Sequence, residues 1–127
     1  MHVGLDDLEP WKKHVLQCLQ VLSDPAFQDR VWIRQEGYGV SFPSEEFSEL
    51  FEDTGLLHLL EASGAVFLSD VDNALLDLYQ LMGQIDLAQS PRALVSSSEW
   101  TRVMRLSDLA KRGTCSILGV CIDDLRQ

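Results

Sequence analysis

Glu45 and Glu49 stand one helical turn apart, the spacing at which two carboxylates could act as paired general acid and base, or hold a divalent ion with Glu46 and Asp53. Acid–base work requires the two pKa values to be pushed apart by burial or by convergence from different elements. Placed at 100° intervals, Phe47, Leu50 and Phe51 fall on one side of this segment, and Glu45, Glu46, Glu49, Glu52 and Asp53 fall on the other. That separation predicts a solvated acidic face opposite an apolar one. Asp70-Val71-Asp72 opens like a calcium loop, but its sixth and twelfth places hold Leu75 and Leu81, which rules the loop out and leaves Asp70 as a helix cap.

The remaining chemistry-bearing residues do not assemble into a signature. His2, His14 and His58 have no H-x-x-x-H spacing, and Cys18, Cys115 and Cys121 lie in apolar surroundings without C-x-x-C spacing, so buried free thiols are expected. Ser96, Ser97 and Ser98 lack a nucleophile elbow, and the glycines form no phosphate loop. No catalytic residue, metal or cofactor is expected.

The acidic face belongs to a longer regional anomaly. Between Arg34 and Arg92 there is no lysine or arginine, yet the 57 residues from Gln35 to Pro91 carry eleven carboxylates. The net charge of -10 disfavours nucleic acid and anionic membranes and favours a basic protein partner. Trp32, Glu36 and Tyr38, just upstream of the acidic segment, are candidate anchor or rim residues beside it.

A length of 127 residues suits a single domain over 1–127. The N-terminus has no basic segment leading into an apolar one, and no apolar run approaches the roughly 20 residues of a membrane span, so a cytoplasmic protein is expected. The architecture read from the pattern is mainly α, about five helices with a short β-hairpin near residues 30–42. Trp11, Val15, Cys18, Leu19 and Leu22 share one helical face, with Asp6 or Asp7 as its cap. The β-branched and aromatic run Arg30 to Gln35, followed by Gly37 and Gly39, predicts the hairpin. Ser44 caps the acidic helix, and Val71, Ala74, Leu75, Leu78, Met82 and Ile85 stripe a later one that Ser69 or Asp70 caps. Ser96 and Glu99 have capping-box spacing before a last clear helix that Gly113 should end. Residues 65–68 and 115–122 fit either strand or helix.

The passages FQDRVWI, SEEFSELFEDTGLLHLLE, DVDNALLDLYQLMGQID and SSSEWTRVMRLSDLA resemble the small immunity proteins that bacteria pair with contact-dependent or type VI secreted polymorphic toxins. The resemblance implies a non-enzymatic inhibitor that binds its cognate toxin domain, often a nuclease with a basic cleft. It carries over no binding residue by motif, so Glu45, Glu46, Glu49, Glu52, Asp53, Glu36, Trp32 and Tyr38 rest on charge arrangement alone. The competing expectation is a small acidic adaptor or oligomeric subunit without catalytic activity.

Overall fold

A computed structural model describes residues 4–36, 41–62, 66–120 and 122–125, and the fold is mainly helical. The helices are α1 (Pro10–Ser23), α2 (Pro25–Phe27), α3 (Pro43–Ser48), α4 (Leu56–Ala62), α5 (Ser69–Gly83), α6 (Pro91–Val95) and α7 (Ser98–Leu118). Short 3₁₀ turns lie at Leu5–Asp7 and Ile122–Leu125. No helix among the described residues is long and apolar enough to cross a membrane.

The longest helix, α7, is the spine, with α1 and α5 packed along it. The expected stripes form these contacts. Val15, Cys18, Leu19 and Leu22 of α1 are buried, as are Val71, Ala74, Leu75, Leu78 and Met82 of α5. Both join Trp100, Val103 and Ala110 of α7 in the main core, while Leu16, Cys115, Val120 and Leu125 make a smaller cluster at the end of α7. α3 and its continuation lie across α1 and against α4.

The hairpin is not formed. Asp24 accepts hydrogen bonds from the backbone N–H groups of Ala26 and Phe27 at 3.1 and 3.2 Å, and Pro25 occupies the first helical position, so a new helix starts where α1 stops. It continues as a π-helical stretch over Gln28–Ile33, closed by the Arg34 N–H on the Asp29 carbonyl at 2.9 Å. Helical spacing puts Gln28 and Trp32 on one inward side. That burial outweighs the weak strand preference of Val31 and Ile33. The chain leaves through Gln35, a non-glycine residue in the left-handed region at φ 56°. The intended turn at Gly37 and Gly39 lies outside the described residues, and among the described residues there is no strand or sheet.

Several caps also differ from expectation. α1 starts behind Glu9 without a side-chain cap, because Asp6 pairs with Lys13 and Asp7 accepts from the Gly4 N–H. α3 begins at Pro43, one residue before Ser44, and α5 has Leu68 as its uncapped lead-in. Asp70 is an exposed first-turn residue, and Asp72 reaches back instead to the N–H groups of Val66 and Phe67 at 2.8 and 3.0 Å. Val66 to Leu68 is therefore a carboxylate-tied loop. Ser97, one residue beyond Ser96, caps α7 through the Trp100 N–H at 3.1 Å. α7 runs past Gly113 and stops at Gly119, whose φ of 74° supplies the left-handed C-cap. A Cβ at Gly113 would stand 2.5 Å from Val71 Cγ2, so this glycine serves close packing of α7 on α5 rather than termination.

Candidate functional site

α3 does not present its carboxylates as one uniform face. It runs as an α-helix to Ser48 and as a π-helical segment over Glu49–Asp53, where the Thr54 N–H reaches the Glu49 carbonyl at 3.2 Å. Leu50 and Phe51 anchor it in the core, and Phe47 packs on Phe51 and Tyr79 with ring centroids 5.5 Å away in each case. With that side inward, Glu45, Glu52 and Asp53 are exposed. None of the three has an ion-pair partner among the described residues.

Glu46 and Glu49 turn toward α1. Glu46 is 8% exposed, and its Oε1 accepts from the Ser41 hydroxyl at 2.9 Å, which in turn accepts the Trp32 indole N–H at 3.1 Å. Burial raises the Glu46 pKa above the ordinary carboxylate value. Neighbouring Glu49 adds to the rise, while the Ser41 hydrogen bond opposes it. Glu49 is half-buried with its Oε2 3.3 Å from His14 Nε2 and 4.0 Å from Cys18 Sγ. Cys18 is 2% exposed, and burial first, then the Glu46 and Glu49 charges, pushes its thiol far up.

Trp32, Glu36 and Tyr38 have different placements. Trp32 is buried, edge-on to Phe27 and Trp100 with centroid distances of 6.5 and 5.7 Å. Glu36 is exposed and pairs with Arg34 Nη1 at 3.3 Å. Tyr38 lies outside the described residues. Trp32 and Glu36 also line a groove of about 530 Å³ with Val31, Phe42, Leu87 and Pro91. Phe42 is half exposed there, immediately before α3, and was not singled out by sequence reasoning.

The convergence of His14, Cys18 and Glu49 was also missed. Their donor atoms all lie within 4.8 Å of one another, and among the described residues they form a group that could hold a metal ion. One signal was available. His14 and Cys18 are spaced i, i+4 on α1, so their side chains are adjacent on one flank of that helix. The contribution of α3 has no trace in local spacing. The chain matches no protein-family profile, no curated protein and no solved structure.

Proposed function

We propose that this protein binds and neutralises a basic toxin domain through the outer face of α3, without catalysing a reaction. The observation that carries the reading is the set Glu45, Glu52 and Asp53: exposed, on one helix, and unpaired among the described residues. Unneutralised charges held together on a rigid helix repel one another, and a complementary basic surface relieves that repulsion while steering association. The groove at the start of α3, with half-exposed Phe42 on its wall and Glu36 at its edge, offers a partner's apolar side chain a desolvated anchor beside the charges. Toxin neutralisation, rather than basic-partner binding in general, comes from the resemblance to polymorphic-toxin immunity proteins.

The test isolates the protein partner that this chain retains from its native cells and asks whether it is a basic toxin domain. Wild-type protein should bind it with an affinity that falls as salt rises. The Glu45→Lys/Glu52→Lys/Asp53→Lys variant should bind at least about tenfold more weakly and lose protection in a growth assay, with helical content and Tm unchanged. Undiminished protection by a folded variant overturns the assignment.

A further inference from the structure

We propose that His14, Cys18 and Glu49 form a binding site for a borderline-soft divalent metal ion of the zinc type. The site lies on the inner flank of α3, against α1. Two helices supply it, His14 and Cys18 one turn apart on α1, and Glu49 from the π-helical continuation of α3. The packing of α3 across α1 brings an imidazole nitrogen, a thiol sulfur and a carboxylate oxygen within 4.8 Å of one another. Tetrahedral zinc, with bonds of about 2.0–2.3 Å, needs its donors roughly 3.3–3.6 Å apart. The His14–Glu49 separation of 3.3 Å already meets that value, and the Cys18–Glu49 separation of 4.0 Å is close to it. Closing the remainder needs only side-chain adjustment, and the His14 and Glu49 side chains, each 40% exposed, have room to make it.

Glu46 lies beside the set, buried, and its charge acts on Cys18. Ser41 holds Oε1 of Glu46, and the Trp32 indole in turn holds Ser41. The carboxylate is buried, yet its hydrogen-bond donors are neutral, and no lysine or arginine pairs with it among the described residues. A buried carboxylate without a cation is costly. A divalent ion in place of the thiol hydrogen would remove that cost: the Cys18 S–H bond breaks, the proton leaves to solvent, and a sulfur–metal bond forms.

The donor chemistry selects the ion. Magnesium and calcium take oxygen ligands, whereas thiolate and imidazole together suit zinc and its cobalt surrogate. Cys18 forms the closed back of the site, and half-exposed His14 and Glu49 flank the way in from solvent.

The reduced full-length protein should be freed of metal by chelation and titrated with Co²⁺, then Zn²⁺. The expected result is one Co²⁺ per chain, with a near-ultraviolet thiolate-to-cobalt charge-transfer band and the intense visible bands of four-coordination. Zn²⁺ should displace the cobalt and raise Tm. Cys18→Ser should remove the charge-transfer band. His14→Gln, at a half-exposed position that does not threaten the fold, should weaken binding by more than the roughly tenfold that losing a supporting hydrogen bond costs. Absence of the band in wild type, or Co²⁺ binding by folded His14→Gln equal to that of wild type, overturns the proposal and leaves only ions held loosely on exposed carboxylates.

Discussion

The indole N–H of Trp100 donates to the side-chain carbonyl of Gln28 at 3.0 Å across 72 positions of sequence, and both residues are buried. The amide end of Gln28 donates in turn to the carbonyls of Val21 and Leu22, each at 3.0 Å. One amide thus satisfies the α7 tryptophan and ties the end of α1 to the segment after α2. Gln28→Leu keeps the side-chain size and strands the Trp100 N–H without a partner. It should destabilise the protein by about 1–3 kcal/mol in urea unfolding. Combined with Trp100→Phe, the loss should fall short of the sum of the two single losses, because the second change removes the stranded donor. Additive losses would mean that the hydrogen bond contributes nothing.

Gly113 faces Val71 where α7 crosses α5, and the β-branched valine has little rotamer freedom with which to yield. In an exposed helix Gly→Ala stabilises by about 1 kcal/mol. Here the added Cβ, 2.5 Å from Val71 Cγ2, reverses the sign. Gly113→Ala should lower stability by about 1–3 kcal/mol through overpacking. Val71→Ala in the same chain should return part of that loss. A more stable Gly113→Ala protein would show that the two helices do not approach this closely.

Asp108 accepts from Arg112 Nε at 2.8 Å and lies 3.3 Å from Lys111 Nζ, which also donates to Gln20 and Ser23 on α1. Burial acts to raise the Asp108 pKa, but the hydrogen bonds and charges of Arg112 and Lys111 together outweigh it and hold the carboxyl below the ordinary value. A carboxylate depressed in the folded state binds its proton first in the unfolded chain as the pH drops. Its stabilisation is therefore complete above the ordinary aspartate range and is lost as the pH falls through the depressed folded value. With 41% of its side chain exposed, the contribution is that of a surface pair, about 0.2–1 kcal/mol. Asp108→Asn should be less stable than wild type at neutral pH, and the difference should shrink as acid protonates the wild-type carboxylate. A gap that is constant with pH would assign the effect to packing.

The helical stripes of α1 and α5 were legible in the sequence because a helix that buries one face must repeat its apolar residues with the helical period, and that is a local property. The base-free stretch was legible for the same reason, since charge is read residue by residue. The hairpin reading failed at Arg30 to Ile33 because strand preference is a weak local bias. The deciding term was burial of Gln28 and Trp32 against Trp100, a residue some 70 positions away. Gly113 was misread as a stop because a glycine that admits a neighbouring helix has the same local signature as one that ends its own.

The acids of α3 mark the same boundary. Sequence by itself determined that Glu45, Glu46, Glu49, Glu52 and Asp53 avoid the Phe47, Leu50 and Phe51 side. Only the tertiary structure decided that α1 covers the flank carrying Glu46 and Glu49, so that Glu45, Glu52 and Asp53 meet solvent while Glu46 is buried on Ser41 and Glu49 meets His14 and Cys18. Helical periodicity assigns an angle to each side chain. What fills the space at that angle depends on how a second helix crosses, and that crossing is set by the core as a whole.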